Sequence, residues 1–168
     1  MATDAEITFA DHIGRFYARR YGMAPMVGRL LGYLVIRHPS EPSIAELADA
    51  LLASRSAITG AVSTLETLGL IHRSRAAGER MDRVRLDLDA PRSTGFDVTE
   101  FHEQAALARE GLALLENAPI ERKAALLEWQ AFADFLVTRL PQLEADWRAH
   151  REKLRAEGTL PDIPRRPQ

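Results

Sequence analysis

Two short helical patterns with a tight join, followed at once by two alternating segments, constrain this chain more than any other feature. Ser43-Ile-Ala-Glu46 has the form of a capping box, in which the serine accepts from a first-turn amide and the glutamate reaches back to the cap. Ile44, Leu47, Ala48 and Leu51 then fall at i, i+3, i+4 and i+7. Ser54 is placed to cap a second helix, running to about Leu68, in which Ile58, Ala61, Val62 and Leu65 repeat that spacing and Gly69 supplies the stop. Such a pair is what a helix-turn-helix requires. Leu70 to Arg75 and Met81 to Leu88 alternate with period two, with Val84, Leu86 and Leu88 on one face and Arg83, Arg85 and Asp87 on the other. Between them, Ala76 to Arg80 contains a glycine and ends on an arginine, which reads as a hairpin tip, or wing.

The flanks are helical. Asp4 to about Arg20 carries Ile7, Ala10, Gly14, Tyr17 and Tyr21 on one face and ends at Gly22. Pro25 to about Arg37 starts with proline in the permitted first turn and carries few charges, as a central core helix would. From Val98 the repeat becomes a heptad seam of Val98, Phe101, Ala105, Ala108, Leu112 and Leu115. After Pro119 a second seam is predicted from Trp129, Phe132, Leu136, Leu140, Leu143 and Trp147, with Pro141 as a candidate kink. The expected fold is therefore mainly α (α+β). Residues 1–22 form an N-terminal dimerisation helix, 23–92 a winged helix-turn-helix, 97–158 C-terminal dimerisation helices and 159–168 a loose, proline-rich tail.

Composition narrows the function. Without cysteine, disulfide scaffolds, cysteine-ligated zinc and thiol nucleophiles are excluded. The five histidines form no metal-ligand spacing, and neither a phosphate loop nor a nucleophile elbow is present, so no enzyme and no cofactor is expected. The acidic N-terminus lacks the order of a secretion signal, and the most apolar stretch, Met23 to Ile36, is short and holds Arg29. A cytoplasmic protein without a membrane span is the expectation.

The net charge of −2 does not advertise nucleic-acid binding. Local balance does: from Ala53 to Arg85, arginines 55, 73, 75, 80, 83 and 85 face only Glu66, Glu79 and Asp82, an excess of +3. On the second helix of the pair, Ser56, Thr59, Gly60 and Ser63 share the face away from the apolar one, with Ser54 and Arg55 at its start. Small hydroxyl groups fit a major groove and bond bases or phosphates, and Gly60 would let the backbone come close. On the hairpin, Arg75, Arg80 and Arg83 are placed for phosphate or minor-groove contact. The partner predicted is double-stranded DNA. A winged helix that binds a protein and has no operator is the alternative.

The run from Ser43 to His72, with its Gly-x-Arg hairpin, resembles the MarR superfamily of bacterial regulators. The approach through Gly14-Arg-Phe-Tyr17, Gly22, Pro25 and Gly28-Arg-Leu-Leu-Gly32 looks more like its GbsR-like branch. The resemblance implies a homodimer on a palindromic operator, commonly a repressor, with many members released by a small-molecule effector and GbsR-like members sensing choline. Tyr17, Tyr21, Tyr33 and Trp129, with Phe16 and Phe132, are candidate effector-binding residues, since aromatic faces attract a quaternary amine. Plain core and dimer packing is the competing account of the same rings.

Overall fold

Thr3 and Glu6 each accept a hydrogen bond from the other's amide, and this reciprocal cap opens α1 (Asp4–Tyr21). Gly22 closes it in the left-handed region at φ 66°. The computed structural model describes residues 2–75, 82–88 and 95–161, in two units that divide between residues 93 and 94. Among the described residues there are six helices and two strands.

In the first unit α2 (Pro25–Arg37) is the central element, burying Val27, Leu30, Leu31, Tyr33 and Leu34. Its glycines let α1 lie close along it: a Cβ on Gly28 would stand 2.8 Å from the Gly14 Cα and 3.0 Å from the Ile13 carbonyl oxygen. The capping box of Ser43 and Glu46 starts α3 (Ile44–Ala50), and Ser54 caps α4 (Arg55–Thr67) by accepting from the Ala57 amide. Leu47 and Leu51 of one helix and Ile58, Val62 and Leu65 of the other are almost fully buried in the same core as Leu30 and Leu34. Each such side chain contributes about 1.5–3 kcal/mol on leaving water, so the helix-turn-helix is held by its apolar face and its outer face is free to be polar.

The wing strands β1 (Ile71–Ser74) and β2 (Arg83–Leu86) pair antiparallel, with Ile71 opposite Leu86 and Ser74 opposite Arg83. Ile71 and Val84 close the core from this side. The Val84 amide donates to the Pro42 carbonyl at 2.9 Å and Ser43 forms a bridge with Arg83, so the chain entering α3 covers the outer edge of β2. The expected hairpin tip, with Arg80, lies outside the described residues.

The turn between α3 and α4 holds one strained residue. Leu52 has φ 51° and is 78% exposed, so its side chain gains little from burial while its backbone sits in the left-handed region. That conformation costs a non-glycine residue roughly 1–2 kcal/mol, against about 0.5–1 kcal/mol of extra chain entropy that glycine loses on folding. Leu52→Gly should therefore stabilise the first unit by about 0.5–1 kcal/mol. A urea titration in which this variant unfolds at a lower midpoint would contradict the account.

In the second unit α5 (Thr99–Leu114) packs on α6 (Ile120–Ala156), and Ala105 and Ala108 of the predicted seam are buried as expected. Three residues of the second predicted seam, Trp129, Phe132 and Leu143, are exposed on the single chain. Ala133 is fully buried, whereas Phe132, Phe135 and Leu143 are exposed. The reason is spacing: small residues on α5 bring the helices close, with a Cβ on Gly111 already 3.0 Å from Leu126, and a phenylalanine does not fit where Ala133 sits. Helix α6 runs through Pro141 without interruption. At the start of the expected tail the amides of Thr159 and Leu160 both donate to the Leu154 carbonyl, and residues 162–168 lie outside the described residues. No helix among the described residues is long and apolar enough to cross a membrane.

Candidate nucleic-acid interface

Six predicted residues, Ser54, Arg55, Ser56, Thr59, Gly60 and Ser63, are all exposed at the start and along the outer side of α4. Burial of Ile58, Ala61, Val62 and Leu65 on the other side forces this, since the helix has one apolar stripe. The Ser54 and Ser56 hydroxyls lie 3.0 Å apart, and the Thr59 hydroxyl donates to the Arg55 carbonyl at 2.8 Å, which leaves its oxygen free to accept. Thr64, exposed beside this face, donates in the same way to the Gly60 carbonyl. Thr64 stands one residue beyond Ser63 but is not among the residues that helical spacing singles out. A Cβ on Gly60 would meet nothing within 4 Å, so nothing inside the described first unit requires glycine there.

The wing is less positive than its composition. Arg73 is clamped to Glu66 near the end of α4, with Nε 2.8 Å from the carboxylate. Arg75 binds Asp82 across the hairpin at 2.7 Å, and Arg83 binds Glu46 of the α3 cap at 2.8 Å. These partners hold the carboxylates below their ordinary range: hydrogen bonds from Arg73 act on Glu66 and from Arg75 on Asp82, while Glu46 responds first to the Ser43 amide and then to Arg83. His72 and Asp87 form another close contact at 2.6 Å. Arg55 and Arg85, by contrast, make no ion pair with a described residue. Arg85, opposite His72 on the wing, is a candidate contact that the linear charge count included without singling out.

Of the aromatic candidates, Tyr17, Tyr21 and Tyr33 belong to the first unit and Trp129 to the second. Tyr17 and Tyr21 stand with ring centroids 5.5 Å apart and Phe16 edge-on to both. Burial, and then Tyr21, raise the Tyr17 phenol above its usual range. Tyr33 is buried, and the Arg37 guanidinium already lies 5.9 Å from its ring centroid. Trp129 belongs to the second unit, where its indole N–H donates to Gln104 at 3.1 Å.

A capped two-helix core, a polar outer helix face and a two-stranded wing define a winged helix-turn-helix DNA-binding protein. Comparison with known proteins agrees. Residues 21–80 match a MarR family model, and residues 93–150 match a model of MmpR5-like MarR family transcriptional regulators. The HTH-type transcriptional regulator MmpR5 of Mycobacterium tuberculosis is 33% identical over 121 residues, 71% of this chain and 73% of that protein. A solved structure described as a transcriptional regulator is 27% identical with a TM-score of 0.78, covering 86% of this chain and 99% of that one. The chain belongs to the MarR family of DNA-binding transcription regulators, and so to a family of regulators rather than enzymes.

Proposed function

We propose that this chain is a cytoplasmic, homodimeric repressor that reads a palindromic operator with the outer face of α4. The observation that carries the reading is the chemistry of that face: hydroxyl groups, one unpaired guanidinium and an open glycine, with no carboxylate until Glu66, which Arg73 neutralises. Dimerisation is supported by large apolar side chains left exposed on one chain, Phe9 and Phe16 on α1, Leu107 and Leu114 on α5, Phe132 and Phe135 on α6. Apolar side chains exposed on these helices are what a partner chain would cover. Light scattering at micromolar concentration should give twice the chain mass, and a folded monomer would contradict this part of the reading.

The direct test is binding to the duplex upstream of the gene itself. Arg55→Ala and Thr59→Ala should each weaken binding by about 1–3 kcal/mol where they touch bases. Both side chains are exposed, so melting temperatures should stay close to the parent's. Parental affinity in both variants would remove α4 as the reading element.

A second reading, a winged helix that binds a protein, is favoured by one observation: Arg73, Arg75 and Arg83 all have carboxylate partners, which reduces the charge offered to phosphates. Salt dependence separates the two. In a dimer, Arg80→Ala removes two wing contacts, and the slope of log affinity against log salt should shrink by about 2 on operator and random duplex alike. Arg85→Ala gives the same test on the described part of the wing. Unchanged slopes in both variants would favour the protein-binding reading.

A small-molecule effector, and a choline-type one in a GbsR-like member, rests on the sequence from Gly14 to Gly32. The paired rings of Tyr17 and Tyr21 are the one part of the described geometry that supports it.

A further inference from the structure

A cavity of about 510 Å³ opens within the first unit, between the end of α2, the loop entering α3, the outer side of α3 and the start of β2. Its charged walls are Glu41, Glu46 and Asp49 against Arg37 and Arg83, which leaves one negative charge in excess. Most of these groups are already engaged. Glu46 accepts from the Ser43 amide at 2.7 Å and from Arg83 at 2.8 Å, and Arg37 lies over the Tyr33 ring within 3.6 Å of Glu6.

Two wall groups have no such partner. Asp49, one helical turn beyond Glu46, makes no hydrogen bond or ion pair among the described residues. Tyr33 is only 4% exposed and lines the same cavity, yet its hydroxyl makes no hydrogen bond among them either. The Tyr33 ring is packed in the core, while its oxygen stays open to the cavity. The two groups together present a carboxylate and a phenol oxygen, both able to accept, in a space large enough for a small molecule.

We propose that this cavity binds a small organic cation carrying N–H donors, a primary ammonium or a guanidinium, held between the Asp49 carboxylate and the Tyr33 hydroxyl. A charge-assisted hydrogen bond to the carboxylate supplies the stronger contact and the phenol oxygen fixes the orientation. A quaternary amine is disfavoured, because its charged nitrogen carries no N–H to donate and Arg37 already covers the Tyr33 ring. The bound cation would stand beside Glu46, the carboxylate that ties β2 to the start of α3 through Arg83. Occupancy therefore acts on the root of the wing, although binding itself is independent of the DNA-binding reading.

The test is titration calorimetry of the full chain, without DNA, in a phosphate buffer, since amine buffers would compete. Agmatine, which carries both donor types, and putrescine are the probes, and choline is the control. Saturable binding of agmatine or putrescine is expected, weakened about tenfold in Asp49→Asn and by a smaller factor in Tyr33→Phe, while any heat from choline is the same in parent and variants. Asp49 is exposed and Tyr33→Phe removes one oxygen, so both variants should keep the parent's circular dichroism and melting curve. No saturation by either probe below about 10 mM would overturn the proposal. Unchanged agmatine affinity in Asp49→Asn, or choline affinity that falls in that variant as agmatine's does, would overturn it equally.

Discussion

Gly28→Ala should lower the stability of the first unit by about 2–3 kcal/mol and its melting temperature by roughly 8–24 °C. The added Cβ would stand 2.8 Å from the Gly14 Cα, 3.0 Å from the Ile13 carbonyl oxygen and 3.1 Å from the Tyr17 Cβ. Two of those atoms are backbone, which cannot turn aside as a long side chain can. Relief requires α1 to move off α2, and α1 carries Ala10, a fully buried member of the core. The movement would also strain the link in which Arg29 reaches Asp11 at 2.5 Å and the Leu51 carbonyl at 3.4 Å, the latter at the turn before α4. Thermal unfolding followed by circular dichroism checks this, and a melting point within about 1 °C of the parent's would show that the helices are not in close contact there.

Gly60→Ala should do the opposite to stability and still damage function. In the middle of a helix alanine is about 1 kcal/mol more favourable than glycine, and nothing within 4 Å opposes a Cβ at this position. The variant should therefore melt a few degrees higher. Operator affinity should fall by about tenfold or more, because the methyl group takes up space that the reading of α4 assigns to the DNA surface. Gain of stability together with loss of affinity is the signature of a residue kept for a partner rather than for the fold. A variant both more stable and equally tight on the operator would leave the glycine without a role at the interface.

The two substitutions show how unevenly the chain could be read in one dimension. At Gly60 the anomaly is local, since a glycine amid a capped, periodic helix costs propensity that can be counted along the sequence. At Gly28 the demand comes from Gly14 and Ile13 on another helix, and spacing along α2 cannot reveal it. Charges behaved the same way. The arginine excess between residues 53 and 85 was legible as a number, but the pairing of Arg83 with Glu46 joins residues 37 apart. The predicted seam on α6 marked apolar positions but not that Ala133 is the residue packed inward, because Ala105, Ala108 and Gly111 on α5 decide which side can approach.

By itself the sequence determined the helix-turn-helix: capping boxes, i to i+4 stripes and glycine stops act within one or two helical turns, so their order along the chain is their order in space. The outer face of α4 followed automatically once its apolar stripe was placed. Only the tertiary structure decided which wing arginines are already neutralised, which side of α6 stays exposed, and that Tyr33 and Asp49 face one cavity from different helices. Those outcomes depend on the distance between elements remote in sequence, and that distance is set by the close packing of small residues, which no local pattern encodes.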